Sequence, residues 1–188
     1  MARPKANLGE NSAENRITEA FWKILQDGSY ADVTIKRLAM EADVNHKTIY
    51  YHFGNVDGLA KVAFDKNLSE AEPQVILSAV LTGSVNSVDF FGNERLFACF
   101  QRLRLFMRED SAYLNGIVRE TLLSQWLQSV GKSEEDLSSE EKTDLNFIIS
   151  GLIAVLGSEN YFKNAAVSTL SQRPIGIGIF NTLKGLTN

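Results

Sequence analysis

Between Lys47 and His52 the chain gathers an ammonium, a hydroxyl, two phenols and an imidazole: Lys47, Thr48, Tyr50, Tyr51 and His52. None of these is a nucleophile beside a general base, or a set of metal ligands. All of them can donate to phosphate oxygens or meet base edges and thymine methyls, which is the chemistry of reading a DNA groove. Their spacing gives them a common direction. At about 100° per residue Ile49 and Phe53 share one face of a helix. Lys47, Thr48 and Tyr51 lie on roughly the opposite side, with Tyr50 at its edge. So short a helix does not fold by its own stability, so its apolar face must be held by neighbours and its polar face is left for something else. A merely solvated face is the plain alternative.

The elements needed to hold it precede it. Thr34 is a good N-cap, because its hydroxyl can accept a first-turn backbone N–H. Ile35, Leu38, Ala39 and Ala42 follow at i, i+3, i+4 and i+7, one buried helical stripe. Asp43-Val44-Asn45 breaks that pattern. Asp and Asn tolerate left-handed backbone, Val44 can plug the angle between helices, and Asn45 is a second N-cap. Helix, three-residue turn, helix is the geometry in which the second helix enters the major groove. Lys36 and Arg37 can reach phosphates, and Thr34 can present its hydroxyl and N–H to one. The expected DNA-facing set is Thr34, Lys36, Arg37, Asn45, His46, Lys47, Thr48, Tyr50, Tyr51 and His52.

At these residues the chain resembles the tetracycline-repressor (TetR) family of bacterial transcription regulators. That family's pattern is a capped helix, an Ala-Gly-Val turn and a recognition helix containing T-[LI]-Y-x-[HY]-F. Here the turn is Ala42-Asp43-Val44 and the helix reads Thr48-Ile49-Tyr50-Tyr51-His52-Phe53. The match covers roughly residues 12–68, the remainder only as a similar helical layout. Asp43 stands where the family usually has glycine. Val56 stands where a lysine commonly begins the next helix and contacts a phosphate. The resemblance implies an all-α protein of about nine helices. Residues 1–55 would be an arm and helix-turn-helix DNA-binding domain, and residues 56–188 a helical effector-binding and dimerisation domain.

Composition agrees with that class. The 188 residues are 44% hydrophobic and 22% charged, ordinary for a soluble globular protein. A single cysteine, Cys99, excludes an internal disulfide and fits a reducing cytoplasm. No basic-then-apolar leader opens the chain. The longest strongly apolar run, Leu145 to Leu156, is too short to span a bilayer, so no membrane partner is expected. The net charge is −4, but residues 1–66 balance nine Lys/Arg against nine Asp/Glu, and the excess acid lies beyond them. Reading DNA needs local positive charge, not a basic total. Arg3, Lys5, Lys36, Arg37 and Lys47 can supply it.

Residues 1–10 read as a flexible arm. A first helix is expected from Asn11, with Glu14 as capping-box partner, a buried stripe of Ile17, Ala20, Phe21, Ile24 and Leu25, and an end at Gly28. After the helix-turn-helix, Gly54-Asn55 breaks the chain and a fourth helix runs to about Glu70. Pro73 can open a helix to about Leu81, and Thr82–Asn93 reads as a loop. Helices follow over Asn93–Arg108, from Asp110 or Ser111 onward, from a Ser138/Glu141 capping box to about Lys163, and from Pro174 to near Gly185. Gly131–Leu137 reads as an acidic loop. Ile175-Gly-Ile177-Gly-Ile179 alternates like a strand, but a helix is preferred because a lone strand has nothing to pair with.

The body is where an effector would bind. Phe90, Phe91, Phe97, Phe100, Phe106, Tyr113 and Trp126 fall between residues 90 and 126, and apolar, aromatic walls are what small-molecule pockets need. The expected ligand set is Phe64, Phe97, Phe100, Leu103, Arg104, Met107 and Trp126; Arg104 and Arg108 could draw an anionic ligand. Core packing, or for the arginines a solvated or ion-paired face, is the stronger reading of each of these residues. Phe147, Ile148, Leu152, Val155 and Leu156, with Ile175, Ile179, Phe180 and Leu183, are more apolar surface than a modest helical body needs. In the family the corresponding two helices form a homodimer, so these nine are the expected dimer interface.

No cofactor, metal or catalytic residue is expected. His46 and His52 share no helical face and have no cysteine nearby, and they leave no histidine for a hydrolytic triad. Gly131-Lys132-Ser133 has Trp126 where a phosphate loop needs glycine. Gly176-x-Gly178 lacks a preceding strand, and its third glycine position is Asn181. The reading is a ligand-responsive, homodimeric regulator, most often a repressor in this family, on a palindromic operator. A regulator of the same fold acting through a protein partner is the alternative, and a selection for bound DNA that returns no palindrome favours it. A helical enzyme would need a catalytic constellation facing the body's cavity, and the sequence shows none.

Overall fold

A computed structural model describes residues 12–70, 93–108, 111–158 and 173–186. Among them it contains eight α-helices and two 3-10 turns, and no strand. The helices are α1 (Ala13–Asp27), α2 (Ile35–Glu41), α3 (His46–Phe53), α4 (Val56–Glu70), α5 (Glu94–Met107), α6 (Ala112–Val130), α7 (Ser139–Gly157) and α8 (Pro174–Gly185). The chain divides into two compact units, one ending at Lys66 and one beginning at Asn67. Most of α4 therefore belongs with the first unit, the head. The physical reason is burial, since Leu59, Ala60, Ala63 and Phe64 are all closed off from solvent. The arm with Arg3 and Lys5, the Pro73 helix, the loop after it, and Phe90 and Phe91 lie outside the described residues.

The head is built on α1, which packs against α2 and α3. Its stripe is as expected: Ile17, Ala20, Phe21, Ile24 and Leu25 are buried, each large side chain contributing about 1.5–3 kcal/mol. Trp22 joins them, edge-on to Phe21 with centroids 5.2 Å apart. The helix starts at Ala13 and not at Asn11. Ser12 is the cap, its hydroxyl accepting from Asn15 N at 3.2 Å, which leaves Glu14 outside the cap. Lys66 of α4 donates to Asn15 of α1 at 2.7 Å. Asn55 begins α4, its side chain accepting from Gly58 N at 2.7 Å. Gly58 is required by that junction, because a Cβ there would lie 2.2 Å from the Phe53 carbonyl oxygen.

In the second unit α5, α6 and α7 pack on one another, and α8 lies on α7. Each start is capped: Asn93 for α5, Ser111 for α6, and the Ser138/Glu141 box for α7. Asn115 holds the α5–α6 connection, its amide donating to the carbonyls of Phe106, Arg108 and Ser111 at 3.0, 2.6 and 3.1 Å. Asn67, buried near the end of α4, donates to the Cys99 carbonyl on α5 at 2.9 Å. The expected acidic loop contains a 3-10 turn, Glu134–Asp136, closed by a Ser133/Asp136 capping box. Helix α7 ends at Gly157, short of Lys163, because Ser158 turns to extended backbone and its hydroxyl bonds the Val155 carbonyl at 2.9 Å. The alternating isoleucines are helical, with Pro174 at the start of α8. Gly157 touches α5 so closely that a Cβ would sit 2.1 Å from the Met107 carbonyl oxygen.

These contacts predict opposite signs for one kind of substitution. Gly58→Ala and Gly157→Ala force backbone apart and should each cost about 1–3 kcal/mol. Gly116→Ala on α6 meets nothing within 4 Å and should gain about 0.5–1 kcal/mol. Urea unfolding of the three variants measures both signs.

Candidate nucleic-acid interface

Three local devices set the reading helix. Thr34 caps α2, its hydroxyl accepting from Arg37 N at 3.2 Å. Asp43 carries the turn with φ of 50°, the only positive-φ residue other than glycine among the described residues. An aspartate tolerates this left-handed backbone better than most side chains, so the chain manages without the glycine usual there. The turn is tied back to α1 by Arg16, which donates to the Asp43 carbonyl at 3.3 Å, and to α2 by Val44 N, which bonds the Ala39 carbonyl at 3.0 Å. Asn45 caps α3, its side-chain oxygen accepting from Lys47 N at 2.9 Å.

With both ends set, Ile49 and Phe53 enter the head's core. The opposite face of α3 then has to point outward. Tyr51 is 86% exposed and Tyr50 54% exposed. Asn45, His46, Lys47 and His52 are exposed, and Thr48 is half-buried. Tyr51 and His52 meet edge to face with centroids 5.1 Å apart. On α2, Thr34 and Lys36 are exposed and Arg37 is half-buried. All ten residues expected to face DNA therefore come from the connected α2–turn–α3 segment, and none is closed off from solvent.

The charges divide into committed and uncommitted groups. Lys23 of α1 pairs with Glu41 of α2, which raises the lysine's pKa chiefly through their hydrogen bond. Lys61 pairs with Asp65 along α4. Arg37 faces Asp32 at 3.9 Å. Lys36 and Lys47 form no ion pair with any described residue, so they are the head's readiest cations for phosphate. Asp32 lies outside the expected set, although Ser29-x-x-Asp32 has the spacing of a capping box. Its carboxylate accepts from Ser29 N and Ser29 Oγ, both at 2.8 Å. Those bonds, backbone first, hold its carboxyl below the usual carboxylate range. Gly28 leaves room for it, since a Cβ there would lie 2.6 Å from Asp32 Oδ2. The Tyr30 hydroxyl donates to Asp57 in the first turn of α4, where Val56 is half-buried.

The other expected residues are scattered. Phe100, Leu103, Met107 and Trp126 are buried in the second unit, with Phe97 and Arg104 half-buried, while Phe64 is buried in the head. None of the seven lines the open cleft of about 250 Å³ that the structure places along α6 and α7. The expected interface residues fall on two surfaces. Ile148, Leu152, Leu156 and Leu183 are buried inside the unit itself, because that side of α7 packs on α5, α6 and α8. Phe147 (76%), Ile175 (58%), Phe180 (52%) and Val155 are exposed, Ile179 is half-buried, and Ile177 adds to the exposed set.

Residues 17–63 match the family model described as bacterial regulatory proteins, tetR family. The fold is similar to the crystal structure of the TetR family repressor AlkX from Dietzia sp. strain DQ12-45-1b, a protein implicated in biodegradation of n-alkanes. The similarity has a TM-score of 0.50 and 19% identity and covers 96% of this chain and 100% of that one. No curated protein matches the chain.

The Ser29–Asp32 bonds give a pH prediction. A depressed folded-state pKa means that their contribution is present above the unfolded pKa and is lost as pH falls through the folded one. The Asp32 carboxyl carbon, followed by NMR, should titrate below an ordinary aspartate. Ser29→Ala removes the hydroxyl bond but keeps the backbone one, so it should move the midpoint part of the way back up; an unmoved midpoint would refute the hydroxyl's share.

Proposed function

We propose that the chain is a ligand-responsive transcriptional repressor of the TetR family, a reading supported by the match of residues 17–63 to that family's model and by the similar fold of a TetR family repressor. It binds a palindromic operator as a homodimer and is released by a small-molecule effector. The observation that carries this reading is α3, an eight-residue helix whose apolar side is locked into the head while Lys47, Tyr50, Tyr51 and His52 face outward. The N-terminal end of such a helix meets base edges in the major groove, and flanking groups hold phosphates. Lys36 and Lys47 supply charge, while Tyr50, Tyr51 and Thr48 supply hydroxyls.

Two copies are needed because one short helix reads too few bases. A symmetric pair reads half-sites about 34–36 Å apart on one side of the duplex. The exposed Phe147, Val155, Ile175, Ile177 and Phe180 on α7 and α8 support that pairing, since apolar patches of this kind mark interfaces. An effector bound in the second unit favours a form whose reading helices miss the half-site spacing. A coupling of about 1–3 kcal/mol changes operator affinity about 5–150-fold.

Fluorescence anisotropy with a selected operator tests the reading. Lys47→Ala and Tyr51→Ala should each cost about 1–3 kcal/mol of binding with unchanged helicity, because both side chains are exposed. Affinity should fall steeply with salt, the log–log slope growing by about 0.9 for each phosphate neutralised. Unchanged affinity in both variants removes α3 from the interface. Phe147→Glu should convert the dimer to a monomer in sedimentation, and a dimer that persists excludes that face.

A further inference from the structure

We propose that the cleft along the α6–α7 hairpin binds a small aliphatic carboxylate, its head group held between Arg119 and Lys142 and its chain lying on Leu145 and Ile149. The cleft holds about 250 Å³, just below the range of about 300–1,000 Å³ that suits drug-sized ligands. Among the described residues its walls all come from residues 119–149, one continuous stretch of the second unit. On α7, Lys142, Leu145, Asn146 and Ile149 follow at i, i+3, i+4 and i+7 and form one stripe.

The cationic end is organised. Arg119 of α6 reaches across to α7, where its Nη1 donates to the Asn146 side-chain oxygen and, at 2.7 Å, to the Ser150 hydroxyl. Those two acceptors fix the guanidinium, while its Nη2 and Nε donate to no other described residue. A planar guanidinium with free donors matches a carboxylate. Lys142 stands one helical turn before Asn146, at neighbouring distance on the same face, and forms no ion pair with a described residue. Glu134, the single carboxylate among the lining residues, is exposed. The lining thus carries two cations against one anion. Apart from Asn146, its remaining walls are Leu123, Leu137, Leu145 and Ile149, with no aromatic ring, which suits an alkyl chain better than a flat ring. Phe147, Gly151 and Val155 lie on roughly the other side of α7 at about 100° per residue, so the cleft is separate from the exposed apolar face.

Isothermal titration of the full chain with octanoate tests this, with octanol and octylamine as matched probes. Octanoate should bind saturably, one per chain, and the other two should not. Lys142→Gln and Arg119→Gln should each weaken octanoate at least about tenfold, since a hydrogen bond to a charged group is worth about 1.5–3 kcal/mol. Glu134→Gln should tighten it about two- to threefold. Arg119 also bridges the helices, so if Arg119→Gln fails to fold, Lys142→Gln, exposed and checked for an unchanged unfolding midpoint, decides the question. Absence of saturable heat at millimolar octanoate overturns the proposal. Affinity unchanged in Lys142→Gln, octanol binding as tightly, or weakening by Glu134→Gln does so too. No operator enters the measurement, so its failure leaves the DNA reading untouched.

Discussion

The head depends on burying Ile49 and Phe53. Helix α3 has eight residues, too few to be helical in isolation, so its conformation is borrowed from the core made by α1 and α2. Once those two side chains are inside, the 3.6-residue repeat leaves Lys47, Tyr51 and Thr48 nowhere to go but outward. The outward face is thus a consequence of packing. The turn at Asp43 and the cap at Asn45 then decide the angle at which α3 leaves α2. Both cost little, because an aspartate tolerates the left-handed backbone that the turn requires.

Electrostatics refines this frame more than it builds it. A head whose formal charges balance can still present positive charge where it is needed, provided the acids are occupied elsewhere. Glu41 is engaged by Lys23, Asp65 by Lys61, and Asp32 by Ser29 with Arg37 close by. Lys36 on α2 and Lys47 on α3 are left over, both exposed. Arg37 is restrained by Asp32, so the two adjacent cations, Lys36 and Arg37, are not equivalent despite adjacent places in the chain.

The second unit follows the same logic at larger scale. Its helices approach closely where a side chain is missing, at Gly157 against the Met107 carbonyl. The connection between α5 and α6 is held by one amide, Asn115, that satisfies carbonyls left open at a helix end. Helix α7 is apolar on more than one side. One side is used up by α5, α6 and α8, another stays exposed around Phe147 and Val155, and a third lines the cleft with Lys142 and Asn146.

Much of this was legible in the residues themselves. Thr34, Asn45, Ser111 and the Ser138/Glu141 pair cap as their types and positions predict, because capping is a contact within three residues. Apolar periodicity placed the stripes of α1, α2 and α3 for the same reason. Long-range choices were not legible. Sequence alone made Ile148, Leu152 and Phe147 equivalent members of one apolar run; only packing against neighbouring helices buried the first two and exposed the third. Nor did it join Arg119 to Asn146, since partners distant in the chain meet only when the helices that carry them are assembled. The sequence by itself determined which of the described segments are helical and which face of α3 is polar, because those follow from interactions within one or two turns. Tertiary structure decided which cations remain unpaired, where the cleft opens and which apolar side of α7 is left uncovered, because each depends on what a second element brings alongside.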